Sequence, residues 1–174
     1  MRKHQGMRPQ DIVILLKIIA LEEESWLNKD LAQSLYISGS EIGESLSRSE
    51  IAGLIDFNKK RINRPALFEF LEHGLHYVFP QQPGAIMTGV PTAHAHPFLK
   101  QFIEADQIYV WADSKGEARG QSIEPLYPNQ VKAIREDAGL YKALALLDVI
   151  RVGRVREIAI AVNELRNIIL REPQ

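Results

Sequence analysis

Four side-chain groupings in this chain are of a type and spacing that can do chemistry. Histidines fall in two pairs, His73 with His76 and His94 with His96. A histidine pair on a strand or turn can share a metal ion or pass a proton. Lys59-Lys60-Arg61-Ile62-Asn63-Arg64 places four cations within six residues, and such a cluster either grips phosphates or forms a solvated loop. Arg151, Arg154 and Arg156 gather around Gly153. They form an acidic-partner or DNA-contact surface, or else Arg151 and Arg154 pair with Asp148 at helical spacing, and the pairing is the simpler account. Ser38, Ser40, Glu41 and Arg48 fall on one short stretch that also holds Ile42 and Leu46 at helical spacing.

Composition removes several chemistries. The chain has 174 residues and no cysteine, so disulfides, Fe–S clusters, zinc-thiolate sites and thiol catalysis are excluded. No carboxylate stands at a recognised metal-motif spacing from the histidines, and proline-bounded loop packing accounts for the rigidity of Pro91–Pro97 equally well. Neither a metal nor a cofactor is expected. No Gly-x-Ser-x-Gly is present, Ser122 has no evident base partner, and Gly84, Gly89, Gly116 and Gly120 read as scattered turn residues. An enzyme is not expected. Trp111, in an apolar strand, reads as core. The apolar run Ile12–Leu21 is interrupted by Lys17 and is too short to span a bilayer, which predicts a cytoplasmic protein without membrane contact.

The formal net charge is -1. Residues 1–64 carry 10 basic and 9 acidic groups, residues 65–128 carry 3 and 7, and residues 129–174 carry 8 and 6. Two faintly basic ends therefore flank an acidic centre. Weak overall affinity for a polyanion follows, with any strong contact confined to a local patch.

The elements that position these groups are mainly helical. Asp11–Leu21 is apolar on nearly every side, as in a helix packed on more than one face. Helices are predicted at Asn28–Leu35, Ser40–Ala52, from Pro65 to Gly74, Asn129–Asp137, Leu140–Ile150 and Val155–Leu170. The last carries Val155, Ile158, Val162, Leu165 and Ile169 as one apolar stripe. Strands are predicted at Leu75–Phe79, Ile108–Trp111 and near Arg119–Ile123. The expected fold class is α+β, mainly α. Residues 1–74 form an N-terminal domain, and 75–174 form an accessory region with strands at about 75–123 and helices at about 129–170.

Within Leu31-Ala32-Gln33-Ser34-Leu35-Tyr36-Ile37-Ser38-Gly39-Ser40-Glu41-Ile42, Leu31 and Leu35 share one helix face and Ala32 leaves room for a second helix. Ser38 and Glu41 stand at capping-box spacing. Ile37, Ile42 and Leu46 turn the second helix back onto the first. Two short helices with a tight turn between them make a helix-turn-helix.

At these residues, with Arg48 and the closing Ala52-Gly53-Leu54-Ile55, residues 10–57 resemble the winged helix-turn-helix transcription regulators, particularly the MarR-like group. The resemblance implies a recognition helix at Ser40–Ala52 set in the major groove, with Ser38, Ser40, Glu41, Glu44, Ser45 and Arg48 as candidate contacts. Lys29, Lys59, Lys60, Arg61 and Arg64 are candidate phosphate contacts beside it. Tyr36 stands where the family has glycine, and Ser49 where a core leucine is common. A wing, if present, is expected at Phe79–Ala85 or in the basic loop itself. The expected function is a DNA-binding transcriptional regulator, a repressor acting as a homodimer on double-stranded DNA, its small-molecule effector unspecified. The alternative is a protein-interaction module, such as the antitoxin partner of a toxin in a two-gene system. The three glutamates of the predicted recognition helix favour that alternative.

Overall fold

The computed structural model describes residues 6–21, 25–59 and 61–171. Lys60 lies outside the described residues. The fold is mixed α/β and mainly helical. No helix among the described residues is long and apolar enough to cross a membrane.

Helix α1 (Pro9–Ala20) starts with proline in its first turn, and the Arg8 amide donates to the Asp11 carboxylate at 2.8 Å. Its apolar circumference is buried on all sides, from Ile12 through Leu16 and again at Ile18 and Ile19. It can be so because α2 (Asn28–Leu35), α3 (Gly39–Ile51) and α7 (Ala138–Val152) all pack on it. Asp137 ties α1 to α7 with both carboxylate oxygens: one caps α7 at the Leu140 amide (2.8 Å), the other binds Lys17 Nζ (2.5 Å).

Helix α4 (Arg64–His73) is capped by Asn63 Oδ1, which accepts from the Ala66 amide at 3.3 Å, and it packs on α8 (Val155–Leu170). The expected strand Leu75–Phe79 is instead a helical turn, α5 (Leu75–Val78). Leu75 is buried and Phe79 half-buried, with the three residues between them exposed. That four-residue repeat belongs to a helix, whereas a strand would alternate. The Gly74 carbonyl accepts the Tyr77 and Val78 amides to close the turn.

The sheet is a very small closed barrel. Strand β1 (Ile86–Thr92) pairs antiparallel with β2 (Tyr109–Ala112) along its second half and with β3 (Ala118–Ser122) along its first half. Strands β2 and β3 run parallel and close it, Tyr109 against Gln121 and Val110 against Ser122. Gly89 is not a turn residue but the centre of β1, facing both Ala112 and Ala118. A Cβ there would stand 2.0 Å from the Trp111 carbonyl oxygen, so only glycine lets the strands cross this closely. The expected hairpin at Phe79–Ala85 does not form; the segment runs irregularly into β1.

Helix α6 (Gln130–Ile134) precedes α7, which lies at the centre of the second half and touches α1, α5, α8 and the 3-10 turn Ala93–Ala95. One hydrophobic core runs through both halves, from Ile12 and Leu67 to Trp111, Leu147 and Leu165.

Candidate nucleic-acid interface

Leu31 and Leu35 of α2 bury against Ile42 and Leu46 of α3, all essentially inaccessible to water. The turn between the helices places Tyr36 in the left-handed region at φ 55° and ψ 41°. A residue with a Cβ is strained there, and the second half of the chain holds it in place. Tyr127 Oη donates to the Leu35 carbonyl at 2.9 Å, Asn129 Nδ2 donates to the Tyr36 carbonyl at 2.8 Å, and Lys132 Nζ lies 3.9 Å from the Tyr36 ring centre. Burial pushes the Tyr127 phenol well above its ordinary pKa. The turn ends at Ser38, whose hydroxyl accepts the Glu41 amide at 3.2 Å and caps α3.

The basic segment after α3 folds back on itself. Ile55 and Ile62 form an antiparallel bridge, the Asp56 amide donates to the Arg61 carbonyl at 2.9 Å, and the Asn63 amide donates to the Leu54 carbonyl at 2.9 Å. At its tip the Lys59 amide closes onto the Asp56 carbonyl at 2.8 Å, with Lys59 itself at φ 56°. A tight turn followed by a left-handed residue is a common hairpin closure. Lys59 Nζ then reaches α3, donating to Ser47 Oγ at 3.0 Å and lying 3.7 Å from Glu50. The basic loop is therefore a short hairpin fastened against α3.

Several expected contacts are elsewhere. Arg48 is buried, not on the outer face of α3: its Nε and Nη2 donate to the two oxygens of Asp11 at 2.9 and 2.7 Å, and Nη2 also donates to Glu41 at 2.7 Å. The hydrogen bonds from Arg48 to Asp11 and Glu41 hold the guanidinium firmly protonated against its burial. Glu41 Oε1 also accepts from Gln10 at 2.5 Å, so Glu41 is half-buried in the same network. Ser45 is fully buried, and its hydroxyl has no hydrogen-bond partner among the described residues; the same holds for Ser49. Arg64 turns inward and caps the last helix by donating to the Ile169 carbonyl. The candidates that stay on the outside are Ser38 at the cap of α3, Ser40 and Glu44 on it, Lys29 at the start of α2, and Lys59 and Arg61 on the hairpin, with Lys59 only half-exposed.

No family model matches this chain, and comparisons with curated proteins and with solved structures return no match.

His94, His96, Asp148 and Arg151 form scaffolding. Among the described residues no three histidines or carboxylates stand together as a metal-binding group. The His94 ring bonds the Gln107 carbonyl through Nε2. His96 packs edge-on against Tyr141, 4.2 Å between ring centres, and accepts the Phe98 amide at 3.1 Å. Burial, assisted by the charge of Lys142, lowers the His96 pKa to about 4. Asp148 is buried under three donors: Thr92 Oγ1 at 2.8 Å, Trp111 Nε1 at 2.7 Å and Arg151 Nη1 at 2.9 Å. Arg151 extends the network to the Phe79 and Glu124 carbonyls. This pair welds the small barrel to α7.

Phe57, Tyr127, Asn129 and Lys132 are not legible in the sequence as parts of this site. Phe57 is exposed at the hairpin tip, and its place follows only once the basic segment is known to turn. The other three lie more than 90 residues from the turn they grip; the one signal pointing to them is the tyrosine at a glycine position.

Proposed function

We propose that this chain is a DNA-binding transcriptional regulator of the winged helix-turn-helix type. Residues 1–74 carry the DNA-contacting part, acting in the cytoplasm as a homodimeric repressor. The observation that carries this reading is the pairing of α3 with a basic hairpin fastened to its flank by Lys59. A helix lying in the major groove beside a hairpin that reaches the neighbouring backbone is a familiar way to bind a duplex.

Chemistry is divided between the two parts. Ser40 offers a hydroxyl for phosphate or base edges, and Glu44 offers an acceptor suited to the cytosine amino group. Arg61, Lys59, Lys60 and Lys29 supply the phosphate contacts, and with them most of the affinity and all of the salt dependence. The role proposed for Arg48 changes. It sets the angle of α3 on α1 and touches no base. One short helix reads few bases, so two copies on symmetric half-sites supply the specificity. The exposed Val155 and Ala159 on α8 favour that helix as the seam between copies.

Fluorescence anisotropy with labelled duplexes over a range of salt tests the reading. Binding should weaken steeply with salt, and Arg61→Ala and Lys60→Ala should each flatten the logarithmic slope by about one. Salt-insensitive or absent binding overturns it. A second reading, a protein-interaction module, is favoured by exposed Ile51 and Phe57 and by the closeness of Glu50 to Lys59. A monomer without salt-dependent DNA binding would support that second reading.

A further inference from the structure

We propose that Phe57 is a wedge that enters the base stack of the bound duplex, unstacking a pyrimidine–purine step from the minor groove that adjoins the major groove occupied by α3. This rests on the DNA reading above and adds to it a sequence preference that no polar contact supplies.

Phe57 leaves 79% of its surface in water. An aromatic side chain carries a large apolar area and, in phenylalanine, no polar tip that would favour such exposure. The ring does not sit on a loose loop. Asp56 accepts the Lys59 amide with its carbonyl, and its side-chain Oδ1 accepts the Arg61 amide at 3.1 Å. The Ile55–Ile62 bridge closes the base of the hairpin, and Lys59 fastens its tip to Ser47 of α3. The ring is thus projected from a fixed platform at a set place relative to the helix, which is what a wedge requires.

Its surroundings select the occupant. Phe57 is followed within four residues by Lys59, Lys60 and Arg61, so a polyanion approaching these cations brings its bases to the ring. Tyr77 makes the contrast. It is equally exposed, at 81%, but residues 65–99 contain no lysine or arginine. An apolar side chain inserted between base steps from the minor groove kinks the duplex. The cost is lowest at flexible TpA and CpA steps, and stacking of the ring on a base offsets part of it.

The test begins by enriching bound sites from a random duplex library with the full-length protein. Each adenine of the enriched site is then replaced in turn by 2-aminopurine, whose fluorescence rises on unstacking. Wild type should raise the signal several-fold at one pyrimidine–purine step. Phe57→Leu should keep part of that rise and Phe57→Ala should abolish it, with the salt slope of binding unchanged in both. Circular dichroism melts of the variants should match wild type, because the side chain is exposed. Salt-dependent binding with no rise at any step, or a rise that survives Phe57→Ala, overturns the wedge and leaves the DNA reading standing. Absence of salt-dependent binding by wild type overturns both.

Discussion

Arg48 and Asp11 meet edge to edge in the interior, Nε and Nη2 of one donating to the two carboxylate oxygens of the other at 2.9 and 2.7 Å. The pair joins the last turn of α3 to the first turn of α1 across 37 residues of chain. A buried charge left without its partner is costly, so Arg48→Ala and Asp11→Asn should each lower stability by about 3–5 kcal/mol in urea denaturation. Replacing both by apolar residues of similar volume, Arg48→Met with Asp11→Leu, should recover much of that loss. An Arg48→Ala variant with a wild-type denaturation midpoint and lost DNA affinity would place the guanidinium at the interface after all.

Tyr36 makes a sharper test of the turn. Glycine there relieves the left-handed strain and gives up the contact with Lys132, so Tyr36→Gly should change stability by no more than about 1 kcal/mol. Tyr36→Val should be clearly worse, since a β-branched residue is least compatible with that backbone. Removing the grip from the other side, Tyr127→Phe should cost about 1–3 kcal/mol, because the Leu35 carbonyl loses its donor. Thermal melts of the three variants decide the order.

His96 sets a pH dependence. Its pKa is about 4 when folded against 6.5 ordinarily, so between these values the unfolded chain takes up a proton that the folded chain does not. Stability from this group is present above 6.5 and is lost as pH falls towards 4. His96→Asn keeps an acceptor for the Phe98 amide and removes the titration. The difference between wild type and variant should therefore change by about 1–3 kcal/mol across that window in denaturation experiments at stepped pH. A parallel pair of curves would show that His96 titrates alike in the folded and unfolded chains.

Gly89→Ala should disrupt the barrel. The added methyl would collide with the Trp111 backbone, which cannot swing aside as a side chain can. A loss of more than about 3 kcal/mol is expected, with the near-ultraviolet circular dichroism of Trp111 reporting the damage locally. An unaltered spectrum would mean that the strands cross less closely.

Legibility in the sequence followed the range of the interactions. Helices α2 and α8 have the predicted bounds, Asn28–Leu35 and Val155–Leu170, since a turn signal and an apolar stripe are both local. Strand β1 was hidden because Gly89 and Pro91 ordinarily break strands, and a barrel this small requires a glycine at its crossing. The segment Leu75–Phe79 has strand-forming residue types, but one buried position in four overrides them. For the candidate interface, the exposure of Ser40 and Arg61 follows from local pattern alone. Arg48, Ser45 and Arg64 could not, because their surroundings are set by α1 and α8, far along the chain.

The polar grip on the turn bears on how such a protein can diversify. Tyr127, Asn129 and Lys132 hold a backbone conformation that α2 and α3 do not favour by themselves, and α7 covers one side of α1. The first 74 residues are thus not a cassette that can be moved onto another second half and keep its geometry. A chimera that exchanges the second half must carry these three side chains with it. By the same connection, a ligand or partner that shifts α6 would reach α3 through the turn at Leu35 and Tyr36.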